Sequence, residues 1–164
     1  MGSSLTPGFN YVRLGENTLT GAGAVLEVQN IPSGYRFLIA YIVISSAAGA
    51  SSPFMNLNND SGVNKYTTQF IKAVGAVVSS GSSTSTQAIM MATTAAGHSG
   101  AIQIQINQSP ATGYKAFTGT GGTQDFTYNT SGAYDSAAEI SRIKLEAGAG
   151  TFDAGSSMLV YGVR

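Results

Sequence analysis

Cysteine is absent from the 164 residues. That absence excludes a disulfide framework, thiol catalysis, iron–sulfur clusters and thiolate zinc sites. Histidine occurs once, as His98, so a metal would have to be held by oxygen ligands; zinc drops out and calcium is the remaining candidate. Charge is scarce too: charged residues make up 10%, eight basic balancing eight acidic, against roughly 25% in an average soluble protein. A neutral, sparsely charged surface is a poor counter-ion for phosphate, which argues against nucleic acid and against polybasic membrane binding. The longest apolar run, Phe37 to Ile44, falls far short of the ~20 residues of a membrane-spanning helix. Nor is there a long stretch with a 3.6-residue apolar period and helix caps.

What is present is Gly, Ser, Thr, Asn and Gln sown between short β-branched and aromatic runs. Ala24 to Gln29 alternates, Leu26 and Val28 on one face and Glu27 and Gln29 on the other; Ile31-Pro32-Ser33-Gly34 is a turn. Arg36 to Ser45 is apolar on both faces, as a strand covered on two sides would be. Pro53 to Asn58, Lys65 to Val74 and Gln87 to Ala92 are further strands, with a Ser/Thr/Gly loop expected over Ser79 to Thr86. The strict alternation of Ile102, Ile104 and Ile106 with Gln103, Gln105 and Asn107 is a half-buried strand. Gly113 to Thr118 and Asp125 to Tyr128 follow, joined by a turn over Gly119-Thr120-Gly121-Gly122; Ile140 to Leu145 and Ser157 to Val163 complete the set. About nine short strands without a crossover helix predict an all-β fold, a single antiparallel β-sandwich (jelly roll). Residues 1–23, Gly-rich with isolated apolar residues, are expected to form an N-terminal arm ordered only through contacts, and residues 24–164 the sandwich domain.

Catalytic patterns are thin. Gly97-His98-Ser99-Gly100-Ala101 approaches the nucleophile elbow of lipases, but a strand rather than a helix follows the serine and there is no second histidine to act as base. Asn58, Asn59, Asp60 and Asn64 crowd one turn in a faint likeness of a calcium loop that lacks its closing Glu; local side-chain bonds of a tight turn explain the same residues. The acidic residues show no spacing that selects a pair for glycoside hydrolysis. The expectation is a non-enzymatic chain with no cofactor.

Four segments together resemble a known family: Ile31-Pro32-Ser33-Gly34-Tyr35 before an apolar strand; Leu57-Asn58-Asn59-Asp60-Ser61-Gly62 with Tyr66 just beyond; Gly100-Ala101-Ile102-Gln103-Ile104 leading through Asn107 to Tyr114-Lys115; and Ile140 to Leu145, then Phe152 and a last strand closing on Leu159-Val160-Tyr161-Gly162-Val163. In this order they are similar to the small jelly-roll virion structural proteins of tailed bacteriophages, capsid decoration or tail-associated, over residues 28–164. Where such proteins often carry Trp before the penultimate strand, Tyr134 stands here. The resemblance implies a virion location and a decoration (cement) protein that binds the outer shell as a homotrimer and stabilises it, its partners being itself and the major capsid protein. Leu5, Phe9, Tyr11 and Leu14 of the arm are the candidate capsid contacts. The alternative is a tail-fibre or tail-tip module binding a host-surface glycan, with Tyr114, Tyr128 and Tyr134 as sugar-stacking candidates.

Overall fold

The computed structural model describes residues 10–45, 53–90, 99–108, 113–123 and 126–164. These form twelve strands and, among the described residues, no helix: β1 (Tyr11–Thr18), β2 (Val25–Val28), β3 (Phe37–Ile44), β4 (Phe54–Leu57), β5 (Tyr66–Val74), β6 (Val77–Ser85), β7 (Ala88–Ile89), β8 (Gly100–Asn107), β9 (Tyr114–Thr123), β10 (Phe126–Asp135), β11 (Ile143–Glu146) and β12 (Ser157–Val163). Every pairing between named strands is antiparallel. Eight strands make a large sheet in the order β1-β12-β3-β8-β9-β10-β5-β6; the small sheet is β2-β11-β4-β7. The expected all-β sandwich is what the chain forms.

Period-two alternation dictates the layering. Leu38, Ala40, Ile42 and Ile44 of β3 and Ile102, Ile104 and Ile106 of β8 point inward, as do Met158 and Val160 of β12 and Phe117 of β9. They meet Leu26 and Val28, Met55 and Leu57, and Ile143 and Leu145 from the small sheet. Tyr66, Tyr128 and Tyr134 carry the core outward beneath β5 and β10. At roughly 1.5–3 kcal/mol for each large apolar side chain removed from water, this inter-sheet layer is the main stabilising term.

Three expectations need correction. The span 1–23 expected as an arm contains a strand of the sandwich: Tyr11–Thr18 is hydrogen-bonded along β12. Its Gly, Asn and Glu hide the apolar alternation because the strand lies at a sheet edge, where few side chains are buried. The Ser79 to Thr86 stretch is no loop but most of β6, paired residue for residue with β5 after a hairpin turn at Gly75, whose φ of 56° suits glycine. Gly119-Thr120-Gly121-Gly122 is not a turn either. It continues β9, where an added Cβ would sit 2.8 Å from the Thr130 side chain at Gly119 and 2.6 Å from the Ala101 carbonyl at Gly121. These glycines allow strands to approach closely rather than reverse.

Candidate functional site

Of the arm residues proposed as capsid contacts, Leu5 and Phe9 lie outside the described residues. Tyr11 is exposed on β1, whereas Leu14 packs against the core. The three tyrosines proposed for sugar stacking separate sharply. Tyr114, at the start of β9, is exposed, but Tyr128 and Tyr134 are each 1% exposed and offer no face to a sugar. Tyr128 stacks on Phe70 with ring centroids 5.3 Å apart, and Tyr134 on Tyr66 at 4.9 Å. Their positions on β10 differ from exposed Asn129 and Ser131 only by parity, and parity follows from register, which composition does not reveal.

The buried tyrosines explain the Asn/Asp turn. Tyr134 donates its hydroxyl to Asp60 Oδ2 at 2.9 Å, and Gly62 N–H donates to Asp60 Oδ1 at 2.9 Å. Tyr66 Oη accepts the Leu57 N–H at 2.8 Å and lies 3.1 Å from the Asp60 carbonyl. The Gly62 N–H holds the Asp60 carboxyl below the usual carboxylate range, helped by Tyr134 and Lys65. Burial pushes the Tyr134 hydroxyl up to about 12. Asn58, Asn59 and Asn64 take positive φ angles of 55°, 56° and 60°, as turn-forming Asn does. Asp60 is thereby a turn anchor, and among the described residues no three His, Asp or Glu gather as a metal site. Of the elbow-like stretch, Gly97 and His98 lie outside the described residues, and Gly100 already begins β8.

The surface that stands out is the outer face of the large sheet. Two rows cross all eight strands in register. One runs Ser82, Gln69, Ser131, Thr118, Gln105, Ile39, Tyr161, Arg13; the other runs Ser80, Ile71, Asn129, Thr120, Gln103, Tyr41, Leu159, Glu16. Charge enters these rows only at β1, where Arg13 and Glu16 pair with each other. The face has two zones. Over β3 and β12 it is apolar, with Tyr41 44% and Val43 50% exposed and Tyr41 edge-on to Tyr161 at 6.1 Å. From β8 to β6 it is neutral and mostly hydrogen-bonding, interrupted by exposed Ile71 and Val78. There Gln69, Ile71, Ser80, Ser82, Asn129 and Ser131 ring a shallow concavity of about 570 Å³. The expectation that β3 is covered on both sides holds at Ile39, which is buried, and fails beyond it, where Tyr41 and Val43 are exposed.

The small sheet presents the opposite chemistry. Glu27 pairs with Arg142, and Lys144 with Glu146 at 2.6 Å; Lys144 also donates to Asn59 at 2.9 Å. The Arg142 guanidinium holds the Glu27 carboxyl below its usual range. A second hollow of about 370 Å³ lies beside Arg36, Gln108 and Glu139. In it Glu139 accepts the Gly34 N–H at 3.0 Å, and buried Gln108 accepts the Ile140 N–H at 2.6 Å while its Nε2 finds no partner among the described residues.

No protein family matches the chain, and no curated protein matches it. Among solved structures it is similar to peanut lectin with a nine-residue peptide, at 8% identity over 99% of this chain and 95% of that one; the TM-score is 0.23, too low to carry an argument.

Proposed function

We propose that the chain is a non-enzymatic structural protein of a tailed-phage virion, a decoration protein laid on the major capsid protein through the outer face of its large sheet. The observation that supports this reading is the partition of charge. Interface cores are depleted of charge and enriched in aromatic residues; here the middle of the broad face is neutral with Tyr41, Val43 and Tyr161 toward one side, while the ion pairs lie on the small sheet, at β1 and, as Lys65–Asp135, at the end of β10. Purified protein mixed with expanded capsids that lack it should co-sediment at roughly hundreds of copies per shell, as capsid symmetry requires. Tyr41→Lys, which puts a charge into the apolar zone, should abolish co-sedimentation without altering the fold. Absence of binding by the native chain overturns the reading.

A second reading, a module binding host-surface glycan, is favoured by the concavity ringed by Gln69, Asn129 and Ser131. Amide and hydroxyl groups both donate and accept, as sugar hydroxyls require. Binding of a neutral oligosaccharide on a glycan array, lost in Asn129→Ala, supports it; an unchanged array signal in that variant excludes this site.

A further inference from the structure

Among the described residues the large sheet has two free edges, and the sequence treats them differently. An edge strand presents a row of unpaired N–H and C=O groups, which proteins blunt with charges, prolines and bulges. Edge β1 is blunted: its register slips between Arg13 and Gly15, and the Arg13–Glu16 ion pair sits on it. Edge β6 is not. Val77-Val78-Ser79-Ser80-Gly81-Ser82-Ser83-Thr84-Ser85 runs nine residues in unbroken register with β5 and contains neither charge nor proline. Among the described strands it pairs with β5 alone. Val77 and Val78 stand 68% and 69% exposed.

We propose that β6 is a self-association edge, at which two copies of the chain pair antiparallel about a two-fold axis through Gly81 and join their large sheets into one continuous sheet. Full overlap of this strand with itself has a single register. It sets Gly81 against Gly81, Ser80 against Ser82 and Val78 against Thr84 of the second copy. The pairing forms about nine backbone hydrogen bonds, close to the ~10 of a typical specific interface. Small side chains meet small side chains, and at the axis Gly81 brings no side chain of its own, the Phe70 ring of β5 lying where its Cβ would be.

Charge is what favours a second copy as the occupant. A like-charge pair facing itself across a two-fold axis is repelled, and β6 has none to repel. The nearest cation on the adjacent strand, Lys72, lies opposite Ser79. In the pair it stands three strands and four residues from its equivalent, about 20 Å from strand spacing and rise. That exceeds the ~8 Å screening length of physiological salt. A charged partner segment would find no complement along this edge. The interface is distinct from the sheet face invoked for the capsid and does not rest on that role; it also differs from the homotrimer that the family resemblance implies.

The test is the solution mass of the full chain, by sedimentation equilibrium across micromolar to sub-millimolar concentrations. The native chain should be dimeric. Ser80 and Ser82 are exposed and outward-facing, so substitution there leaves the core intact, which circular dichroism checks. S80K/S82K places lysine against lysine twice and should raise the dimer Kd roughly tenfold or more. S80K/S82E places lysine against glutamate twice and should keep or restore the dimer. A native monomer, a native trimer, or a dimer equally tolerant of both variants overturns the proposal.

Discussion

At Asp60 one residue ties a surface turn to two buried aromatic rings, its carboxylate accepting from Tyr134 and its backbone carbonyl from Tyr66. Its acidity is strengthened in the folded chain, first by the Gly62 N–H and then by Tyr134 and Lys65. A carboxylate with a lowered folded pKa contributes stability above its unfolded value of about 3.9, and that contribution is lost as pH falls through the lower folded value. Glu27, lowered by Arg142, acts in the same direction. Thermal midpoints should therefore hold on the neutral side of about pH 4 and fall below it. Tyr134→Phe removes one bond to Asp60 and should cost about 1–2 kcal/mol, moving the acid transition to higher pH; a scan from neutral to acid pH compares the two chains. Ile104 and Gln103 provide a sharper contrast, since they are neighbours on opposite faces of β8. Ile104→Asp buries an unpaired carboxylate at a fully enclosed site and costs several kcal/mol, comparable to the whole ~5–15 kcal/mol of a domain. Gln103→Asp, in the wet row, should leave the midpoint within about 0.5 kcal/mol of native. Soluble yield and melting curves of the pair check it.

Elements differ in how much of themselves they disclose. β8 is legible because Ile repeats at every second residue, and β3 because its run is apolar throughout over a broad core. β1 and β6 are not, because both lie at sheet edges where burial is too slight to impose alternation on Gly, Ser and Asn. The glycine run of β9 resembles a turn in composition, yet its φ/ψ freedom is unused and its lack of Cβ is what the sheet requires. Of the candidate site, the neutral Gln/Asn row of β8 could be read from spacing. The match of that row with Tyr41, Thr120 and Asn129 could not, since it depends on registers between strands far apart in the chain. The same close approaches make a test. An added Cβ at Gly132 would lie 2.1 Å from the Thr67 carbonyl and 2.5 Å from the Phe117 ring. Gly132→Ala should cost about 3 kcal/mol by overpacking, read as a lower denaturant midpoint. Removing residues 1–20 deletes β1 and uncovers the β12 edge, so the truncated chain should melt lower and aggregate; an unchanged midpoint would show that β1 contributes nothing.

For the whole molecule, the organising fact is that the two outer faces of one sandwich differ in how many charged side chains they carry, although the chain as a whole is neutral. The ion pairs of the small sheet are partly exposed and contribute little to stability. Their position matters more, because a face carrying fixed charges stays hydrated while the neutral face is cheaper to dry. Under the proposed role, Val43→Lys, at a half-exposed site in the apolar zone, should leave the melting midpoint near native and remove shell binding. Lys144→Ala, on the charged face, should leave shell binding intact. Co-sedimentation of both variants against the native chain tests the face assigned by that proposal.

A neutral face also has a kinetic consequence. With no field to guide encounter, arrival at a partner would run near the unsteered ~10⁵–10⁶ M⁻¹s⁻¹ and change little with ionic strength. Whatever occupancy the chain reaches on a surface would then be set by how slowly each copy leaves. A pair joined at the β6 edge would set two faces on that surface at once and leave only when both let go, which lengthens the residence of each copy.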